Sequence, residues 1–292
     1  MVNQFLAYLS YERNRSLATV SSYRKDLEAF QKFVQAQDST LSWADVDADL
    51  VRDWMAEMMN EGQRATSINR RLSALRSFYR FALARNLVKS DPVQGVVGPK
   101  KDKPLPQFLK EKEMDELLQE DFWTDCYEDV RDRMIIMTFY ETGIRLAELM
   151  NLCDGDVDFM SGQLKVTGKR NKQRLIPFGA ELSQALQHYM GVRDAQVVRH
   201  SAALFLANDG QQMTADAIRY RVKKYLSLVS TLKKRTPHVL RHTFATAMLN
   251  HKAGIESVKK LLGHESLSTT EIYTHTTFEQ LKREYLNAHP RA

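Results

Sequence analysis

Residues 236–251 read TPHVLRHTFATAMLNH, a stretch that predicts both a helix and a place for an anion. Thr236 is a suitable N-cap and Pro237 suits the first helical position, so a helix is predicted from Pro237 onward. His238 and Arg241 are three residues apart, which puts them on one face near the N-terminal end of that helix. This end carries the positive pole of the helix dipole and therefore favours a negatively charged ligand.

The two histidines at the start of this helix leave other interpretations open. His238 and His242 are four residues apart, as in a metal-binding pair. However, Val239 stands where an HExxH motif has its glutamate, and no third ligand is evident, so no metal is expected. A purely structural role for both histidines remains an alternative.

Two earlier stretches carry further candidates. Residues 141–152 (ETGIRLAELMNL) place Arg145 and Glu148 on one helical face, and taken alone the two would form a surface ion pair of little energy. Residues 164–177 (LKVTGKRNKQRLIP) predict two short strands around a polar turn, with Lys169 where the first strand meets the turn. Taken alone, that lysine is either the solvated tip of a hairpin or a contact to a polyanion.

Residues 261–275 (LLGHESLSTTEIYTH) predict a helix that ends at a glycine and a second helix that starts from a capping box. His264 follows the glycine, and Tyr273 falls in the first turns of the second helix. A tyrosine in such a position is usually a half-buried core residue. Each of the four stretches is therefore a weak signal by itself.

Together, the four stretches supply two arginines, a lysine, two histidines and a tyrosine, without a phosphate-binding glycine loop or a carboxylate cage for a metal. Arginine forks bind the non-bridging oxygens of a phosphodiester, whose negative charge grows in the transition state. A phenol, with a pKa near ~10, needs cationic neighbours or a base to attack phosphorus, and a lysine can protonate the leaving oxygen. The set is complete for transesterification at phosphorus without a metal or another cofactor.

The same stretches resemble the signature segments of the tyrosine recombinases of the phage integrase type. TGIRLAEL, VTGKRNKQRLIP, HVLRHTFAT and LLGHESLSTTEIYTH occur in the family's order and approximate spacing. LATVSSYRKDLEAFQKF and TSINRRLSALRSFYRFAL resemble the family's SAM-like core-binding domain, and the ending AHPRA is most similar to the Xer subgroup. The resemblance implies a mainly α fold with a small β component, in which a helical core-binding domain and a mixed α/β catalytic domain form a C-shaped clamp.

The resemblance also implies a role for each candidate residue. Arg145 and Arg241 clamp the scissile phosphate, and Glu148 orients its neighbours. The other four residues act around the reacting oxygens: Lys169 protonates the leaving 5′-oxygen, His238 is the base for Tyr273, His264 hydrogen-bonds the phosphate, and Tyr273 forms the 3′-phosphotyrosine bond.

The hairpin departs from the family pattern. The family often has Gly-Lys-Gly there, whereas Arg170 replaces the second glycine in this chain. The turn is therefore expected to differ, and Lys172 remains an alternative to Lys169 as the acid.

The first 90 residues predict four helices, the last of which lies in a stretch without acidic residues from 62 to 90. Solvated helix faces usually mix charges of both signs, so a single-sign basic face favours a phosphate backbone. The expected DNA contacts are Arg64, Arg70, Arg71, Arg76 and Arg80 from this stretch, Lys100 and Lys101 from a linker, and Arg170 and Lys172 from the hairpin.

The composition suits two domains and a polyanionic partner. Residues 91–106 are rich in proline and glycine, which predicts a linker between a helical domain at 1–90 and a catalytic domain at 107–292. The formal net charge of +6 permits nucleic acid as a partner. The sequence has no CxxC, no evident signal peptide and no run of about 18 apolar residues, so a cytoplasmic protein without membrane contact is expected.

The C-terminal segment predicts a short amphipathic helix, because Phe278, Leu281 and Tyr285 lie at helical spacing. A helix of about nine residues is unstable alone, so its apolar face needs a partner. That partner is either its own domain or a neighbouring subunit, and the resemblance favours helix exchange with a neighbour. Strand exchange between two duplexes needs four active sites, so a homo- or hetero-tetramer on a double-stranded DNA recombination site is expected.

The expected function is conservative strand exchange between two DNA sites, and the Xer resemblance implies resolution of chromosome or plasmid dimers during cell division. A second recombinase and a DNA translocase are possible further partners. The integrase of a mobile element, a type IB topoisomerase and a non-catalytic DNA-binding relative remain alternatives. The complete set of six catalytic candidates argues against the last of these.

Overall fold

The computed structural model describes residues 1–101, 105–168, 171–263 and 275–292, with the backbone alone for 275–277. The chain divides into two compact units, Met1–Pro104 and Leu105–Ala292. Both are mainly helical, and the small sheet lies in the second unit, so the predicted fold class is confirmed. None of the described helices is both long and apolar enough to cross a membrane.

The first unit is built from the helices that the apolar periodicity predicts. They are α1 (Val2–Ala7), which continues as a π-helical turn (Tyr8–Glu12), α2 (Leu17–Gln37), α3 (Ala48–Asn60) and α4 (Ala65–Ala84). Ser16 and Asp47 cap α2 and α3, because their side chains accept hydrogen bonds from backbone N–H groups in the first turns. Aromatic side chains such as Phe30, Trp54 and Phe78 fill the core between the helices.

The first unit continues beyond residue 90, into the stretch that the sequence predicts as a linker. Val93 and Val96 are buried in the core of this unit. Arg76 and Asn69, both on α4, donate hydrogen bonds to the carbonyls of Val96 (2.7 Å) and Pro99 (2.8 Å). Proline and glycine stop regular structure here, but the valines between them still pack against α4.

The second unit combines helices with a three-stranded antiparallel sheet of order β1-β2-β3. Its helices are α5 (Glu111–Leu118), α6 (Tyr127–Thr142), α7 (Leu146–Met150), α8 (Ala180–Gln196), α9 (Ala215–Val229), α10 (Pro237–Asn250), α11 (Ile255–Leu262) and α12 (His275–Ala288). Its strands are β1 (Val157–Asp158), β2 (Gln163–Thr167) and β3 (Gln173–Pro177). The predicted hairpin is therefore confirmed, with Val166 opposite Arg174.

Helix α6 forms the centre of the second unit. Every residue of its last two turns, 134–142, is buried, as expected for a helix surrounded by protein. It packs against α8 and α10. Its C-terminal end therefore lies deep in the unit, and the residues that follow it start from a rigid position.

The C-terminal helix α12 packs on its own unit, against β3, α10 and α11. Leu281 and Tyr285 are buried, and the ring of Tyr285 stacks on His289 at 5.3 Å between centroids. His289 contacts the carbonyl of Tyr140 (3.3 Å), and Arg291 forms ion pairs with Glu181 and Asp115. Of the two partners expected for this helix, the single chain shows contacts with its own unit, and exchange with a neighbouring subunit stays a prediction.

Tyr285→Ala should lower the free energy of unfolding by about 3–5 kcal/mol, since a fully buried aromatic ring leaves a cavity when it is removed. Leu286→Ala is the matched control, because the neighbouring Leu286 is 45% exposed and its loss should change stability by less than ~0.5 kcal/mol. Urea unfolding of the free protein, followed by circular dichroism, measures both. A Tyr285→Ala protein as stable as the wild type would mean that α12 is detached from its own unit in solution.

Candidate active site

A glycine turn connects the end of α6 to the first candidate arginine. Gly143 has φ +59°, in the left-handed region that favours glycine. An added Cβ would lie 2.5 Å from the ring of Phe244 on α10 and 2.9 Å from Leu262 on α11. The turn is therefore pressed against both helices, and it places Arg145 at the start of α7.

The C-terminal end of α11 lies among three arginines. A helix leaves its last carbonyls without partners inside the helix, and they form the negative pole of its dipole. Three successive carbonyls each accept a hydrogen bond from a different guanidinium: Leu261 from Arg174 Nε (2.8 Å), Leu262 from Arg241 Nη2 (2.6 Å) and Gly263 from Arg145 Nη2 (2.8 Å). Arginines from β3, α10 and the α6–α7 turn thus meet at one helix end.

The buried carboxylate of Glu148 accepts hydrogen bonds from two of these arginines. Its side chain is only 2% exposed, and its two oxygens accept hydrogen bonds from Arg174 Nη1 (2.8 Å) and Nη2 (2.9 Å). Arg145 adds its backbone N–H and its Nη1, each at 2.8 Å. Burial alone would raise the pKa of Glu148, but the hydrogen bonds and charges of Arg174 and Arg145 outweigh it and lower the pKa to about 2. The pair with Arg145 is therefore buried at the carboxylate, not the surface ion pair considered from the sequence.

Arg241 and His238 both experience the positive charge of this cluster. Arg241 is buried and also donates from Nη1 to the carbonyl of Gly143 (2.5 Å). Its burial and the nearby Arg145 and Arg174 lower its pKa to about 10, so it still carries a charge at neutral pH. His238 is exposed, but partial desolvation, followed by the charge of Arg241, lowers its pKa. The imidazole is therefore neutral near pH 7 and able to accept a proton.

Four sequence-predicted residues, Lys169, Arg170, His264 and Tyr273, lie outside the described residues. The residues that precede them are described. Gly168, just before Lys169, accepts close contact with Glu148, since an added Cβ would lie 3.2 Å from Glu148 Oε1. Gly263, just before His264, accepts the hydrogen bond from Arg145. The described chain therefore reaches the arginine–glutamate cluster at both Gly168 and Gly263.

Comparison with known proteins identifies the family. The model of the Phage integrase family matches residues 107–280, and that of the Phage integrase N-terminal SAM-like domain matches residues 2–86. The chain belongs to the phage integrase family.

Individual relatives agree with this assignment to the tyrosine recombinases. The chain is similar to tyrosine recombinase XerC of Pelotomaculum thermopropionicum, with 39% identity over 301 residues that cover 100% of this chain and 98% of the relative. XerC of Listeria monocytogenes is 38% identical over 292 residues, which cover 99% and 97% of the two chains. The solved XerH site-specific recombinase, bound to a palindromic difH substrate in a post-cleavage complex, shares the fold, with a TM-score of 0.73, 20% identity and coverage of 97% and 83%.

Sequence reasoning missed the part that Arg174 plays in this recombinase. The sequence treats it as one of several basic residues around a hairpin turn, but its side chain is only 8% exposed. In β3 the buried positions alternate, with Arg174 and Ile176 inward and Leu175 outward. Because Leu175 and Ile176 are both apolar, the sequence does not show which face of the strand is buried.

The metal alternative gains no support from the described residues. His238 and His242 are both exposed, and no group of three histidine, cysteine or carboxylate side chains in the described part of the chain could hold a metal ion.

Proposed function

We propose that this tyrosine recombinase cuts and rejoins double-stranded DNA at two specific sites, through a covalent bond between Tyr273 and the 3′-phosphate of each cut strand. The observation that carries the proposal is the meeting of Arg145, Arg241 and Glu148 at the end of α11. This helix end leads in sequence directly to His264 and Tyr273. A phosphate is the ligand that a cluster of forked cations at one point fits best.

The cleavage step follows from the chemistry of the proposed residues. The phenolic oxygen of Tyr273 attacks phosphorus, so that the Oη–P bond forms while the P–O5′ bond breaks. The phenolic proton passes to the neutral His238, and Lys169 donates a proton to the leaving 5′-oxygen. In the second half, the 5′-hydroxyl of the other duplex attacks the phosphotyrosine, the protons return, and Tyr273 is released.

The remaining residues stabilise the charge that develops on the phosphoryl group. Arg145 and Arg241 are proposed to bind its non-bridging oxygens, with His264 as a further hydrogen-bond donor. Glu148 remains ionised and keeps Arg145 in a fixed orientation. Each broken phosphodiester is conserved in the phosphotyrosine, so the exchange consumes no nucleotide and is proposed to need no cofactor.

The first-unit residues proposed to contact DNA are exposed cations whose side chains form no ion pair or hydrogen bond with the described part of the chain. Arg70 pairs with Asp26 of α2, and Arg76 donates to the carbonyl of Val96. Arg71, also predicted to contact DNA, lies over the ring of Trp54 at 5.9 Å. Among the other predicted contacts, the exposed cations are Arg64 and Arg80 towards the two ends of α4, Lys100 and Lys101 after it, and Lys172 in the second unit. We therefore place the main phosphate contacts of α4 at Arg64 and Arg80.

The biological role is proposed from the relatives named XerC and from the stoichiometry of the reaction. Two duplexes contribute four strands, each cut by one tyrosine, so a tetramer assembles on DNA. Resolution of chromosome or plasmid dimers in the cytoplasm, with a second recombinase and a DNA translocase as partners, is the role we favour. Integration of a mobile element uses the same chemistry on other sites. A topoisomerase would relax a supercoiled plasmid that lacks any recombination site, and this assay separates the two classes.

Tyr273→Phe should bind DNA with unchanged affinity and form no covalent complex, because the change removes only the nucleophilic oxygen. A nicked suicide substrate traps the adduct, which is read on a denaturing gel, while a gel shift measures binding. Tyr285→Phe, which removes a phenolic oxygen from a fully buried position, is the matched control and should retain the adduct. An adduct of wild-type yield from Tyr273→Phe would overturn the assignment of the nucleophile.

Lys169→Ala should slow cleavage of ordinary DNA by about 100-fold or more. The same variant should cleave DNA that carries a 5′-phosphorothiolate at the scissile bond with a much smaller loss of rate, because a sulfur leaving group needs no acid. Lys172→Ala on the same two substrates is the control for the other hairpin lysine. If Lys172→Ala shows the substrate-dependent loss instead, then Lys172 is the acid. Equal loss on both substrates for both variants would assign the hairpin lysines to binding.

Arg80→Ala should weaken binding to a single site and reduce the slope of log affinity against log salt by about 0.9, the value for one lost phosphate contact. Arg52→Ala makes the same charge change on α3, where the guanidinium already pairs with Asp49, and should leave the slope unchanged. Gel-shift titrations at several salt concentrations measure both. An unchanged slope for Arg80→Ala would remove this end of α4 from the DNA surface.

A further inference from the structure

We propose that Arg174 is a positioning residue for strand cleavage, which holds Glu148 and the end of α11 in one arrangement without touching the DNA. This inference rests on the proposed function, because it concerns how the strand-cleaving site is kept in register. Arg174 lies on β3, immediately beyond the hairpin turn that contains Lys169. It is distinct from the arginines to which a phosphate contact is assigned.

All three guanidinium nitrogens of Arg174 donate hydrogen bonds. Nη1 and Nη2 bind the two oxygens of Glu148 at 2.8 and 2.9 Å, and Nε binds the carbonyl of Leu261 at 2.8 Å. Gly263 lies close to the same side chain, since an added Cβ there would be 3.2 Å from Arg174 Nε and Cζ. A planar fork with fixed donors suits this arrangement, whereas a lysine ammonium cannot reproduce it.

Three chemically important segments meet through this one side chain. Glu148 connects Arg174 to the turn that carries Arg145, and the strand itself connects it to the hairpin of Lys169. Leu261 connects it to the segment that continues to His264 and Tyr273. A shift of Arg174 would therefore move the phosphate clamp, the acid hairpin and the start of the nucleophile segment relative to one another. A misplacement of about 1 Å in an active site is enough to cost about 100-fold in rate.

A simpler explanation is that Arg174 is only a buried ion pair that stabilises the fold. The chain contains a closely matched ion pair elsewhere. Arg193 on α8 is fully buried, binds both oxygens of Asp154 at 2.8 and 2.9 Å, and donates to the carbonyl of Leu204 at 2.9 Å. Arg193 also pairs with Asp194, and within the described residues neither Asp154 nor Asp194 belongs to the proposed site. Arg193→Gln therefore reproduces the structural loss of Arg174→Gln without the proposed positional loss.

The test compares Arg174→Gln, Arg174→Lys and Arg193→Gln with the wild type in the full-length protein. Thermal melts give the folded fraction, gel shifts on a single site give the affinity, and a nicked suicide substrate gives the rate of adduct formation. We expect lower melting temperatures for both glutamine variants. Only Arg174→Gln should slow adduct formation by about 10- to 100-fold per folded, DNA-bound molecule. Arg174→Lys keeps the charge and the fold, and should be slowed to an intermediate degree.

The pH profile supplies a readout that a structural role would not change. The charged groups that face Glu148 within the described residues are Arg145 from its own turn, Arg174 from β3 and Arg241 from α10. Loss of Arg174 removes two donors from a buried carboxylate and so raises its pKa from about 2. Both proteins should lose rate at acidic pH as His238, the proposed base, becomes protonated. In Arg174→Gln the rate should fall further as the pH drops through the raised pKa of Glu148, and a second change, Glu148→Gln, in the same background should abolish this additional pH dependence.

The outcomes separate this inference from the proposed function. If the wild type binds DNA but forms no adduct, the proposed function fails. If the wild type forms the adduct and Arg174→Gln matches Arg193→Gln in rate and pH profile after correction for folded fraction, the positioning role is wrong. Should Arg174→Gln not fold, a wild-type rate in Arg174→Lys would overturn the inference equally.

Discussion

The capping of α11 by three arginines is the interaction on which the site depends. The carbonyls of Leu261, Leu262 and Gly263 would otherwise face a buried region without partners, and each instead receives a charged donor. Burial and, after it, the charges of Arg145 and Arg174 lower the pKa of Arg241, because the three guanidiniums carry like charge. The helix dipole and Glu148 compensate for only part of this charge. An anion at the same place would complete the balance, and a phosphodiester supplies one.

The rest of the second unit keeps these charges from relaxing. Helix α6 is enclosed by protein along its final turns, so the Gly143 turn that follows it cannot move away from Phe244 and Leu262. The β2–β3 hairpin brings Arg174 in from another direction. Cations that are already held together do not need to reorganise when charge develops on a phosphoryl group, which is how a fixed environment accelerates such a reaction. The pKa of Glu148 is about 2, so this carboxylate stays ionised at neutral pH and maintains the arrangement of the arginines.

Local patterns predicted much of this architecture, and the failures have a common cause. The helices of both units, the hairpin and the glycine stop after Thr142 all follow from periodicity and turn chemistry, which act between residues close in sequence. Burial of charged groups does not follow from them. Arg145 and Glu148 had the spacing of an ordinary surface pair, and only the arrival of Arg174 from β3 makes the carboxylate a buried group that accepts four hydrogen bonds. The C-terminal helix was likewise visible in the sequence, whereas the surface that covers it was not.

The sequence alone determined the type of reaction, because its arginines, lysine, histidines and tyrosine are sufficient for metal-free transesterification. The order of the motifs that contain these residues was sufficient to recognise the family. The positions of Gly143 and of the candidate clamp arginines were also readable as local signals. Only the tertiary structure decided that Arg174 joins Glu148 to Leu261, that the arginines share one helix end, and that α12 packs on its own unit. These contacts connect residues far apart in sequence, such as Arg145 and Gly263, which are 118 positions apart, and depend on packing that no local pattern encodes.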